Sequence, residues 1–176
     1  MKQENEKQTH HGKAQKKDVT QMEGSGRYIG TPNGIVLCVN QNDEGTISGE
    51  LWHAYSRDGI PFRGFEQIIR TAEELFNALG FPMQGTSDRD IHGQTRSCRK
   101  KEGMTRVLKD EQMLEKHGEL GTFVIRVQHR QHSSWQGRVT HLDNNRTVYF
   151  RSVLELIKII DGTLDEEEQA AAEESK

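Results

Sequence analysis

His53 and His141 are the residues of this chain best placed to do chemistry. They hold equivalent positions in two similar stretches, each on the strand face that also carries Leu51 or Val139. An imidazole in such a place is a candidate general base for a hydrolase or transferase. The reading that outweighs it is a sheet-edge histidine bonded to a neighbouring carbonyl, because strand position alone supplies no partner. His129 and His132 stand three apart across a hairpin loop. Zinc would want a third or fourth ligand there, and no Cys or carboxylate lies at fitting spacing. His10-His11 is too short for a metal tract. No metal site and no cofactor is expected.

Other catalytic signatures are missing. No Ser or Cys comes with a recognisable base, and neither a GxSxG elbow nor a P-loop is present. Gly24-Ser25-Gly26 follows no strand and opens no helix, so it reads as a linker. Between Phe123 and Ile160 the acids are Asp143 and Glu155 alone, which argues against glycosidase-like chemistry. No catalytic residue is assigned, and the balance leans away from an enzyme. Arg63 and Arg151 are the sharpest small-ligand candidates. Each closes a strand just before a helix, where free N–H groups attract anions. The alternative is that each arginine bonds its own hairpin or a helix-start carboxylate such as Glu66 or Glu155.

The elements around these residues follow from periodicity. Thr122 to Arg130 alternates, with Phe123, Ile125 and Val127 on one face and Arg126, Gln128 and Arg130 on the other. Trp135 to Leu142 and Thr147 to Arg151 alternate in the same way. Asp143-Asn144-Asn145-Arg146 between them is turn chemistry. Val153, Leu156, Ile157, Ile160 and Leu164 then take helical spacing, with Ser152 and Glu155 as a capping box. This is a β-β-β-α unit.

An offset of 88 positions lays Ile35 to Ala72 over Phe123 to Ile160. Val36, Val39, Gly49, His53, Phe62, Arg63 and Ile69 keep their identity, and the turns and the strand-to-helix switch coincide. The pattern reads as an internal duplication. The fold class expected is α+β: tandem duplicated β-β-β-α units, antiparallel sheets each covered by one helix, in a pseudo-twofold arrangement. Units of about 40 residues are small to stand alone, so the two pack together, either as one continuous six-stranded sheet or as two layers. The expected bounds are a disordered tail over 1–27, the first unit over 28–82 and a partly mobile linker with a possible short helix over 83–118. The second unit spans 119–164, and an acidic tail follows over 165–176.

Gly121 to Val127 (GTFVIRV), Trp135-Gln136-Gly137 and Phe150-Arg151-Ser152 leading into LELI, with Pro61-Phe62 and Leu79 to Pro82, carry a resemblance. They resemble a group of short bacterial proteins, seen mostly in Gram-positive anaerobes, for which no activity is known. The resemblance covers most of residues 45 to 164 and implies a bacterial cytoplasmic protein. It transfers no catalytic residue.

The chain of 176 residues carries a formal charge of −3 and is 32% hydrophobic. No stretch approaches the roughly 18 apolar residues of a membrane helix, and the amino terminus lacks a signal-peptide core. Cys38 and Cys98 form no CxxC pair. A cytoplasmic setting is expected. Charge differs between the halves: Phe123 to Ile160 nets +4, and Ile35 to Ala72 nets −2. If a helix covers Phe123, Ile125 and Val139, the opposite face of the second unit is basic, with Arg126, Arg130, Arg138 and Tyr149. That face suits single-stranded nucleic acid, with arginine on phosphate and tyrosine stacked on a base. The opposite face of the first unit carries Val36, Trp52 and Ala54 and should not stay wet. The other half, the central linker or a partner protein with Trp52 as anchor would cover it. The leading expectation is a small non-enzymatic binding or regulatory protein acting on a protein partner. Nucleic-acid binding comes second, and an enzyme using His53 or His141 third.

Overall fold

The computed structural model describes residues 29–86, 88–89, 91–93, 95–96 and 103–174. The tail over 1–27, with His10-His11 and Gly24-Ser25-Gly26, lies outside the described residues, as do Cys98 and most of the basic run from Arg96 to Lys101.

The fold is α+β. Strands β1 (Ile35–Asp43), β2 (Thr46–His53) and β3 (Ile60–Arg63) lead into helix α1 (Phe65–Leu79). A two-residue hairpin, β4 (Asp88–Arg89) and β5 (Thr95–Arg96), and a short helix α2 (Asp110–Leu114) follow. Strands β6 (Gly121–Gln131), β7 (Ser134–His141) and β8 (Arg146–Phe150) then lead into α3 (Val153–Glu174). The six long strands form one antiparallel sheet in the order β3-β2-β1-β6-β7-β8.

Of the two arrangements expected, one continuous six-stranded sheet is observed, and a separate sheet for each unit is not. β1 and β6 pair antiparallel over Ile35–Val39 and Gly121–Ile125. The first strand of each half would otherwise present a row of unpaired N–H and C=O groups. Pairing them satisfies both rows and merges the two cores.

Within that pairing Val36 is the Cα partner of Val124. The first hairpin has a register shift between Val39 and Gln41, and the second has one between Val127 and His129. Each inserts one residue, Asn40 or Gln128, and each reverses the side-chain parity beyond it. Gly49 and Gly137 also match: a Cβ on either would lie 2.0 Å from the carbonyl oxygen of Cys38 or 2.1 Å from that of Arg126.

One face carries Ile35, Leu37, Val39, Ile47, Leu51 and Phe62 from the first half, and Phe123, Ile125, Val127, Trp135, Val139 and Phe150 from the second. Both long helices cover it, through Ile68, Ala72 and Phe76 of α1 and Leu156, Ile160 and Leu164 of α3. Each large apolar side chain buried here contributes about 1.5–3 kcal/mol. Gly80, left-handed at φ 64°, ends α1. Ser152 Oγ accepts from the Glu155 amide at 3.1 Å, the N-terminal half of the expected capping box. α3 runs on through the acidic segment to Glu174.

The opposite face is closed at its centre by a second, smaller core. Ile29, Val36, Cys38, Ala54, Met113 and Val124 are buried in it, with Trp52, Tyr55, Leu108, Leu114 and Leu142 packed around them. The cover comes from the chain itself. Ala54 O accepts from the amides of Val107 and Leu108, and the Lys116 ammonium sits 4.2 Å from the Trp52 ring centroid. Of the three covers expected for this face, the central linker supplies this one. Only Asp110–Leu114 of the possible helix over 104–117 is helical.

Candidate functional site

The residues expected to form a docking surface lie beneath that cover. Val36 and Ala54 are buried, and Trp52 is half-buried under Lys116. Cys38 shares the site; burial first, and Glu50 second, push its thiol up to about 12.

The four residues expected to form a basic face separate into three environments. Arg126 is fully buried. Its Nε donates to Ile29 O at 2.8 Å and its Nη1 to Thr140 Oγ1 at 3.1 Å. Burial, with Arg138 second, holds this guanidinium down to about 10. Arg130 is not on this face at all, a correction to the straight alternation. The extra residue at Gln128 turns it to the helix side, where it is 5% exposed. There Nη1 donates to Glu73 Oε2 at 2.7 Å and Asn77 Oδ1 at 2.6 Å, and Nε donates to Pro82 O at 2.9 Å. Trp135 Nε1 donates to the same Glu73 carboxylate. This network ties α1 to the second hairpin beside a cavity of about 290 Å³ that Ser133, Ser134 and Val153 also line.

Arg138 and Tyr149 stay accessible. Arg126 is the cross-strand partner of Arg138, and Arg138 of Tyr149, so the three side chains form one row across β6, β7 and β8. Tyr149 is 60% exposed and Arg138 half-buried. The buried Nε of Arg138 has no hydrogen-bond partner. Like charges directly opposed across strands repel, so the row favours an anion. Residue parity beyond the bulge puts exposed His129 on the same face, opposite Gln136.

Arg151 takes the helix-start carboxylate that the sequence offered as the alternative, and Arg63 takes a different partner. Arg151 binds Glu155 through Nε at 3.2 Å and Nη2 at 3.0 Å, and its amide donates to the same carboxylate at 2.7 Å. That hydrogen bonding holds Glu155 below the ordinary carboxylate range. The Arg63 amide donates to Gln67 Oε1 at 3.0 Å, and its guanidinium faces Asp43 at 3.9 Å in an exposed pair.

The two histidines differ. His53 is buried, its Nδ1 accepts from the Tyr55 amide at 3.1 Å, and burial lowers its pKa. His141 is 5% exposed and stacks on Phe123 at 4.8 Å. Its Nε2 lies 3.0 Å from Asp143 Oδ2 and 3.4 Å from Glu167 Oε1. Neither ring nitrogen makes an aligned hydrogen bond, however, and Asp143 Oδ2 already accepts from the Thr122 amide. We take the ion-pair distances as proximity, not as bonds, because the angular requirement is unmet. His129 and His132 are exposed, and no group of three metal-ligating side chains occurs among the described residues. No described helix is long and apolar enough to cross a membrane.

Comparison with protein-family models, curated proteins and solved structures gives no match for this chain.

Proposed function

We propose that this is a non-enzymatic binding protein that holds single-stranded nucleic acid across β6, β7 and β8, in the bacterial cytoplasm that the resemblance implies. The observation that carries the reading is the row Arg126-Arg138-Tyr149. A backbone phosphate beside the half-buried Arg138 pairs with its guanidinium. It also offsets the repulsion from Arg126, which stays in the floor of the site. Tyr149 offers a ring face on which a base stacks. The protein-partner reading has less support, because residues 107–116 lie over the apolar patch that motivated it.

Fluorescence polarisation with labelled single-stranded RNA and DNA tests this. Binding at low salt that Arg138→Glu abolishes supports the reading. Absence of binding by the wild type at low salt contradicts it.

We also infer that the two β-β-β-α halves descend from one duplicated unit related by a pseudo-twofold axis. The support is positional. The paired Val36 and Val124, the inserted Asn40 and Gln128, and Gly49 and Gly137 are all equated by the same 88-position offset. The hydrogen bonds that start the two helices, from Arg63 to Gln67 and from Arg151 to Glu155, are equated too.

A further inference from the structure

We propose that the cavity between α3 and the second hairpin is a binding site for a small organic anion with a flat apolar body. It holds about 270 Å³, close to the lower end of the range for small-molecule sites. Phe123, Val139, Val148 and Ile159 supply apolar walls, and the His141 ring lines it as well. Arg146 and Lys158 line it against a single acid, Glu166. Asp143 and Glu167, the carboxylates near His141 Nε2, do not line the cavity.

Two independent features mark it as more than a packing fault. The first is His141. Buried polar atoms without partners are rare in folded proteins, and each calls for an explanation. Both ring nitrogens of His141 are buried without a hydrogen bond. In the equivalent His53, Nδ1 accepts from Tyr55. A ligand carboxylate accepting from a ring N–H would give His141 the bond it lacks, after a small turn of the ring, because both nitrogens are out of solvent contact as the ring stands.

The second is Gly162. It lies inside α3 and lines the cavity. Glycine inside a helix costs about 1 kcal/mol relative to alanine. A Cβ there would meet nothing within 4 Å, so no packing contact demands the glycine. Gly162 is exposed at the rim, and what it leaves open is the mouth of the cavity. Equivalent positions in the first half carry Glu74 for Gly162 and Asp58 for Arg146. The basic, open version therefore belongs to the second half alone.

The test is NMR on the full chain, labelled with ¹⁵N and ¹³C, titrated with phenylacetate and separately with phenethylamine. The site predicts saturable shifts of the His141 ring and of the Val148 and Ile159 methyls with phenylacetate, in the millimolar range or tighter, while the His53 ring stays still. Phenethylamine binds more weakly. Lys158→Gln, at an exposed position, raises Kd by roughly fivefold. Gly162→Leu fills the space and removes the saturable shifts without lowering Tm. Three results would overturn the proposal. They are no saturation by about 10 mM, where affinity is too weak to mark a specific site, equal or tighter binding of the amine, and unchanged binding in a folded Gly162→Leu protein. All of these readouts are independent of nucleic-acid binding.

Discussion

Val36 and Val124 are Cα partners at the centre of the sheet, and they are also the two residues that the 88-position offset equates. A single pairing thus joins the halves at a point where each meets its own counterpart. Everything outward from it follows in duplicate: a bulge, a hairpin, a glycine under a carbonyl, a third strand and a helix.

Gly49 and Gly137 carry a direct consequence. A methyl group at Gly49 or Gly137 would sit about 2 Å from a neighbouring strand's carbonyl oxygen. Backbone cannot yield as a flexible side chain does, so the sheet must distort. Gly49→Ala and Gly137→Ala should each cost about 3 kcal/mol or more. Urea denaturation of each variant checks this.

Arg126 and Arg138 share a row but not a role. Arg126→Met removes the side-chain donor to Ile29 O and one partner of Thr140 Oγ1, at about 1–3 kcal/mol. Arg138→Gln removes a cation that repels its neighbour, and stability should stay within about 0.5 kcal/mol or rise. Parallel urea titrations distinguish the two. The result also decides which arginine is a clean probe of binding: Arg138.

His53 makes stability depend on pH. Burial lowers its folded pKa below 6.5, so between the two values the unfolded chain binds more proton than the folded one. The His53 contribution is complete above the unfolded pKa. It declines as pH falls through that value, with a slope of at most about 1.4 kcal/mol per pH unit, and levels off below the folded pKa. Urea midpoints from pH 7.5 to 5 should fall less steeply in His53→Gln than in the wild type.

Cys38 should be inert. With its thiol pushed up to about 12, thiolate is scarce at pH 8, and the side chain is buried. Peptide mapping after iodoacetamide should find Cys38 unmodified in the native protein and alkylated in denaturant.

Much of this was legible in the sequence. Alternation located β6, β7 and β8, the 88-position offset carried the same plan onto β1, β2 and β3, and the apolar spacing located α1 and α3. Glycine and proline marked the end of α1. Two things were not fully legible, for physical reasons. One inserted residue at Gln128 reverses parity, so alternation read straight through placed Arg130 beside Arg126, although it lies on the opposite face. The linker's cover over Val36 and Ala54 was legible only as one of three alternatives, because its apolar residues, Leu108, Met113 and Leu114, are few and aperiodic. Met113 is nevertheless completely buried. The unbonded state of His141 had no sequence signal, since it depends on angles to Asp143 and Glu167.

The most direct test of the proposed function is the salt dependence of Kd for single-stranded RNA, for the wild type and Arg138→Gln. The account predicts that log Kd rises linearly with log salt in the wild type, and that losing one phosphate contact lowers the slope by about 0.7. Tyr149→Ala should weaken binding by about 1–3 kcal/mol through lost stacking and leave the slope unchanged. Identical slopes and affinities for the wild type and both variants would contradict it, because the row across β6, β7 and β8 would then not be where the nucleic acid lies.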